Sequence, residues 1–147
     1  MEIRKIVPSD KSELLKIMVE FYSSPALLHH TPETTLSKVI DDCVSDLPYI
    51  DGYVCVDGGI IAGYTMLSVG YSTEYGGISV MIEDIYIRPE LRGKGVGSAF
   101  LRFIENAYRD TAVRLRLEVE QNNTNAIEVY KRNGYSEIAY KQMGKLL

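Results

Sequence analysis

The apolar positions of this chain change their period from segment to segment, and each change marks a predicted element. Glu2–Val7 reads as a first strand, ended by a turn at Pro8-Ser9-Asp10. Leu14, Ile17, Met18 and Phe21 then share one face of a helix, with Asp10 and Glu13 at capping-box spacing ahead of it. Thr31-Pro32 offers a second helix start, a capping residue followed by proline at the first helical position. Leu36, Val39, Ile40, Cys43, Val44 and Leu47 continue that helix at its own spacing as far as Pro48. Tyr49–Val56 and Ile60–Val69 are predicted strands, and Asp57-Gly58-Gly59 between them is a hairpin signal.

Gly70–Gly77 reads as a loop and Ile78–Arg88 as the next strand. Ile78, Val80 and Ile82 share one parity there, whereas Ile85 and Ile87 have the other. A three-residue step inside a strand is what a β-bulge produces. A central strand apolar on both faces, with Met81 on the second, would give the same pattern. Val96, Ala99, Phe100, Phe103, Ile104 and Ala107 form a helical stripe. Val113, Leu115, Leu117 and Val119 alternate with Arg114, Arg116, Glu118 and Glu120, the pattern of a half-buried strand. A short helix from about Asn123 to Asn133 closes at Gly134 in a C′ position, and Tyr135–Leu147 is expected to supply the last one or two strands. This order is mixed α/β, not a repeating parallel unit.

Composition narrows the class without naming a function. At 147 residues, 46% hydrophobic and 24% charged, residues 1–147 are expected to form a single ordinary globular domain. No apolar run approaches a membrane span and no signal-peptide core stands at the N-terminus, so a cytoplasmic protein without a membrane partner is expected. A net charge of −4 and a pI near 5.2 argue against a nucleic-acid partner and are compatible with a cationic substrate. Cys43 and Cys55 fit no metal spacing, and the adjacent His29 and His30 cannot share a helix face, so no metal is expected.

The chemistry-bearing stretch is Val80 to Ser98. A strand ends at Arg88-Pro89, and a glycine-rich turn from Arg92 to Gly97 then opens the third helix. Glycines let backbone N–H groups approach a ligand, and the helix start adds unpaired donors and the positive end of its dipole, so the turn suits a phosphate. It is not a dinucleotide fingerprint, because Phe100 stands where the third glycine would be, and it is not a nucleotide P-loop. What stands here is Arg92-x-x-Gly95-x-Gly97.

That turn resembles the pyrophosphate-binding turn of the GNAT superfamily, the N-acetyltransferases that use acetyl-coenzyme A. A second block, Asn123-x-x-Ala126-x-x-x-Tyr130 followed by Gly134-Tyr135, is similar to another signature of that family and begins about 25 residues beyond the first. The element order matches the family along essentially the whole chain. The resemblance implies a central, mostly antiparallel sheet of six or seven strands with a bulged, splayed central strand and helices on both faces. It implies that the backbone from Arg92 through Gly93, Lys94, Gly95 and Val96 to Gly97, with the hydroxyl of Ser98, holds the pyrophosphate of acetyl-CoA. It also implies that the backbone of Ile85, Tyr86 and Ile87 pairs with the pantetheine arm and that Asn123 supports the same arm. Asn125 falls where the family pattern varies. Lys94, Lys131 and Arg132 are either phosphate contacts or surface charges.

Acetyl transfer to an amine needs the neutral amine, which for an alkylamine of pKa ~10.4 is about one molecule in a few thousand at pH 7. By resemblance, Glu83 is the general base, with its neighbour Asp84 the second candidate, and Tyr130 is the general acid that protonates the leaving thiolate. A backbone N–H at the bulge, that of Ile85, would face the developing oxyanion. Phe21, Tyr22, Tyr71 and Tyr75 lie in regions that shape the acceptor pocket of the family. The expected activity is N-acetylation of a primary amine on a small molecule. A protein N-terminus or lysine as acceptor, a non-catalytic acyl-CoA-binding module, and a homodimer remain open alternatives.

Overall fold

The computed structural model describes residues 1–24 and 30–147. Strands β1 (Glu2–Lys5), β2 (Ile50–Asp57), β3 (Ile60–Ser72), β4 (Gly77–Ile87) and β5 (Ala112–Leu117) form one sheet in sequence order. The first four run antiparallel to their neighbours, and β5 lies parallel to β4. The parallel pair requires a crossover, which α3 (Val96–Tyr108) provides. Helices α1 (Lys11–Tyr22) and α2 (Glu33–Cys43) cover one face, burying Leu14, Ile17, Met18, Leu36 and Ile40 against Val54, Tyr64 and Met66. Helix α3 covers the other face, where Val96, Phe100, Leu101 and Ile104 meet Cys55, Leu67, Val80 and Ile82. The short α4 (Thr124–Arg132) packs Val129 and Tyr130 against that second core.

Several expectations need correction. The described residues form five strands, not six or seven, because Tyr135–Leu147 contains no regular element. Its apolar positions Ile138, Tyr140, Met143 and Leu146 keep period two for one step only, and all four are exposed. The hairpin before β4 is tighter than predicted, since β3 runs to Ser72 and β4 begins at Gly77. Asp10 does not cap α1. Its carboxylate instead accepts from the Val7 N–H at 2.9 Å and pairs with the Arg4 guanidinium at 2.7 and 2.8 Å, holding β1 to the following turn. Glu13 accepts from the Ile61 N–H at 3.2 Å and lies 3.2 Å from Arg88, so both capping-box carboxylates are engaged elsewhere, Asp10 locally and Glu13 across the fold. Helix α2 starts at Glu33 with Pro32 as N-cap, one residue later than predicted, and no side chain caps it. Of the adjacent histidine pair, His29 lies outside the described residues.

Candidate active site

The parity step in the sequence is a bulge. Met66 pairs with Asp84 and Leu67 with Ile82, leaving Glu83 without a cross-strand partner. The extra residue reverses the faces of β4. Val80 and Ile82 before it, and Ile85 and Ile87 after it, all join the core under α3. Asp84 and Tyr86 turn to the α1 face, where Tyr86 packs with Tyr64 and Phe21. Glu83 accepts from the Ser68 hydroxyl at 2.6 Å, and Ser68 follows Met66 by two on the same face of β3. The bulge therefore presents both carboxylates on the α1 side of the sheet.

Their environments differ sharply. Glu83 is exposed and carries one hydrogen bond from a side chain. Asp84 is 5% exposed and accepts from the Tyr22 hydroxyl at 2.8 and 3.0 Å and the Tyr64 hydroxyl at 3.3 Å. Burial pushes the Asp84 pKa up to about 6 against those two hydrogen bonds, and the Glu83 charge adds to the rise. Phe21 and Tyr22 thus converge beside Asp84, whereas Tyr71 and Tyr75 stand at the far tip of the β3–β4 hairpin, with Tyr75 under the Arg114 guanidinium at 4.9 Å.

On the opposite edge of β4 the sheet opens. The β4–β5 ladder ends at Ile82–Leu117, and β5 stops there. The Arg88 backbone N–H donates to the Ala62 carbonyl at 3.0 Å, which fixes the hydrogen-bonding phase against β3. Alternation from that pair turns the backbone groups of Tyr86 towards β3 and those of Ile85 and Ile87 towards the gap. Of the three residues expected to meet a pantetheine arm, Tyr86 faces β3, whereas Ile85 turns both backbone groups and Ile87 its N–H to the gap. The Ile87 carbonyl accepts from the Arg92 Nε at 2.9 Å, which draws the turn onto the end of β4.

The glycine turn then delivers α3. Gly93 and Gly95 have φ of 74° and 81°, a region that favours glycine. Gly95 is the N-cap of α3 and has no side chain to satisfy the first helical N–H groups. Gly97 is different, because its backbone is ordinary helix and a Cβ there would meet no protein atom within 4 Å. Neither strain nor packing inside the protein calls for glycine at 97, and alanine would favour the helix by about 1 kcal/mol. The space beyond it is open, and the residues fit a phosphate group there. Ser98 Oγ accepts from Asn133 Nδ2 at 3.0 Å, so its own proton is free to donate.

Tyr130 is set by the end of α4. The Gly134 N–H donates to the Lys131 carbonyl at 3.0 Å and the Tyr135 N–H to the Tyr130 carbonyl at 3.1 Å, a Schellman motif with Gly134 at φ 85°. The accompanying apolar contact is Tyr130 against Tyr135, with ring centroids 6.1 Å apart. The Tyr130 ring is half-buried, and burial raises its phenol pKa. At the other end of α4, Asn123 Oδ1 accepts from the Ala126 N–H at 3.2 Å.

The sequence matches the acetyltransferase (GNAT) family over residues 12–135. The chain belongs to that family. It is 34% identical over 82 residues to a thialysine N-epsilon-acetyltransferase of Bos taurus, an alignment covering 55% of this chain and 48% of that one. That match spans only about half the length of the bovine relative. Among solved structures, an integron cassette protein from the mobile metagenome of Cole Harbour Salt Marsh superposes with a TM-score of 0.85 at 26% identity, covering 99% of this chain and 90% of that one. A possible acetyltransferase from Clostridium difficile superposes with a TM-score of 0.86 at 21% identity, covering 99% and 97%.

For a GNAT protein, the residues with no further partner are informative too. Lys94, Lys131 and Arg132 are exposed, and Lys131 lies 3.9 Å from Glu128. Cys43 and Cys55 are unpaired, and no group of three His, Cys, Asp or Glu residues could hold a metal among the described residues. No helix among them is long and apolar enough to cross a membrane. Tyr64 and Asn133, which hold Asp84 and Ser98, were not singled out in the sequence. Tyr64 sits in a run with little polar contrast, and Asn133 reads simply as a helix end.

Burial of Asp84 has a thermodynamic consequence. Its folded-state value of about 6 lies above the unfolded value of 3.8, so the folded protein favours the neutral acid. The associated stability is present in full below about pH 4 and is lost as the pH rises through about 6, by roughly 2–3 kcal/mol. Asp84→Asn should remove that dependence. Denaturant titrations from pH 4 to 7 should show the wild type losing stability relative to the variant as pH increases, and parallel curves would mean that Asp84 is not desolvated as described.

Proposed function

We propose that the protein is an acetyl-CoA-dependent N-acetyltransferase whose acceptor is a primary amine on a small molecule. The observation that carries this reading is the gap beyond Ile82–Leu117, where free β4 edges, an uncapped helix start and the open space at Gly97 adjoin a bulge bearing two carboxylates. Within the Arg92–Gly97 turn the Arg92 N–H already donates to the Pro89 carbonyl at 3.2 Å, so the N–H groups from Gly93 to Gly97 and the Ser98 hydroxyl would hold the pyrophosphate. The free backbone groups of Ile85 and the Ile87 N–H would take the pantetheine arm as an added strand, and the Asn123 side-chain N–H₂, left over from capping, would reach the same arm.

Glu83, directly or through a water, takes the proton that the acceptor ammonium must lose. The amine nitrogen then attacks the thioester carbonyl carbon, and the N–C bond forms as charge moves onto the oxygen. The Ile85 N–H faces that oxygen. When the C–S bond breaks, Tyr130 donates its phenolic proton to the departing sulfur, and the second proton that the attacking nitrogen must shed to become an amide passes through solvent and restores the phenol. The acidic α1 side of the bulge suits a cationic acceptor, and the name of the bovine relative is that of an enzyme acting on a small amine.

Thiol release from acetyl-CoA over a panel of small amines and peptides tests this. Release with small amines alone is expected. Release with peptides alone would move the acceptor to protein, and coenzyme binding without acceptor-dependent release would make the protein a binding module. Gly97→Ala tests the phosphate turn separately. It should stabilise the free protein by up to about 1 kcal/mol and weaken acetyl-CoA at least about tenfold, a loss near 1.4 kcal/mol. Calorimetric titration with unchanged affinity would refute the assignment of the turn.

A further inference from the structure

Thr65 is a fully buried polar residue on β3, paired across the ladder with Ile85. Its Oγ1 donates to the Asp84 carbonyl at 2.8 Å. That carbonyl belongs to the first peptide after the bulge. Glu83, immediately before Asp84, has no ladder partner, whereas Asp84 and Ile85 pair with Met66 and Thr65, so the Thr65 hydroxyl adds a side-chain restraint at the point where the ladder resumes after the bulge. The bond also spans two strands, from a side chain on one to the main chain of the other.

The peptide is trans and planar, so its C=O and N–H point in opposite directions. A hydroxyl that holds the Asp84 carbonyl against β3 therefore aims the Ile85 N–H the other way, into the gap beside β4. We propose that Thr65 is a positioning residue of the acetyl-transfer site: its hydroxyl clamps the Asp84–Ile85 peptide so that the Ile85 N–H is set towards the thioester oxygen. This inference rests on the proposed role of Ile85 as oxyanion donor. It assigns a function to a side chain that does not touch the substrate, on a strand that carries none of the residues read from the sequence as catalytic. The fixed donor matters because a preorganised dipole needs no reorganisation at the moment charge develops.

Thr65→Val keeps the shape and removes the hydroxyl, whereas Thr65→Ser keeps a donor. Two measurements not based on turnover accompany the kinetics: the Ile85 amide resonance of the free protein, and the carbonyl stretch of bound [1-¹³C]acetyl-CoA without acceptor. In the valine variant the amide should shift and the carbonyl stretch should move back towards its value in water. Turnover should fall about tenfold while acetyl-CoA affinity stays within about twofold of wild type, and serine should restore all three, since a donor is loosened here and not removed. A valine variant with wild-type stretch and turnover would overturn the proposal and leave Thr65 a buried hydroxyl satisfied by the nearest carbonyl. If the valine variant does not fold, Thr65→Cys, a weaker donor of similar volume, should give intermediate values, and wild-type values there would likewise overturn the proposal. A wild-type stretch unchanged from water would instead remove Ile85 as the oxyanion donor, and the role of Thr65 with it.

Discussion

Replacing Tyr130 with phenylalanine is expected to reduce turnover by roughly ten- to a thousand-fold while changing stability by less than about 1 kcal/mol. The stability half of that expectation follows from packing. The ring is held by the Schellman turn and by Tyr135, and phenylalanine keeps both. The hydroxyl has no hydrogen-bond partner among the described residues, so its removal leaves no protein group unsatisfied there. The activity half follows from protonation. Burial raises the phenol pKa above its ordinary value of about 10, so the hydroxyl is protonated throughout the neutral range and can donate to a leaving thiolate. The wild-type pH–rate profile should therefore fall on its basic side as the phenol ionises, and that limb should disappear in the variant. Coenzyme affinity should be preserved, since the phosphates are assigned to the Arg92–Gly97 turn. Wild-type turnover in the variant would make Tyr130 a packing residue, and lost coenzyme binding would make it a positioning group.

What was legible in the sequence depended on contrast between neighbouring positions. The bulge could be read because isoleucine recurs at 82, 85 and 87 in a strand whose polar residues make the missed step visible, and Gly134 marked the end of α4 because only a positive φ explains it there. Strand β3 offered no such contrast. Ile61 to Leu67 are all buried or glycine, so nothing marked Tyr64 and Thr65 as the residues that hold Asp84. Asp10 and Glu13 failed in the opposite way. Their spacing matched a cap, but Arg4, Ile61 and Arg88 lie far enough along the chain, or are sufficiently generic, that no local pattern shows them as competing partners. A strand at Tyr135–Leu147 failed for a related reason, because a strand is defined by the edge that receives it and alternation within a segment does not name that edge. The candidate site follows the same rule. Its glycines and carboxylates are local signals, while the side chains that aim them come from elements distant in sequence.

Glu83→Gln is expected to cost on the order of 10²-fold or more in turnover near neutral pH, the range of a general base. Two carboxylates stand at the bulge, and their properties point in different directions. Burial brings the Asp84 pKa up to about 6, which by tuning alone suits a base. Access decides against it. Asp84 is 5% exposed and its oxygens already accept from Tyr22 and Tyr64, whereas a base must come within hydrogen-bond reach of the proton or lie one water away. Glu83 is exposed, and its second oxygen accepts from no side chain among the described residues once Ser68 has bonded the first. Glutamine preserves that acceptor for Ser68, so the change removes the proposed base and leaves the local geometry. Activity should recover partly as the pH rises, because a growing fraction of the acceptor is already neutral. Asp84→Asn, which keeps an acceptor for the two tyrosines, should lower turnover much less. Steady-state rates of both variants from pH 6 to 9 separate the two assignments: a Glu83→Gln enzyme as active as wild type across that range, beside an inactive Asp84→Asn enzyme, would transfer the base to Asp84 and make Glu83 a surface carboxylate.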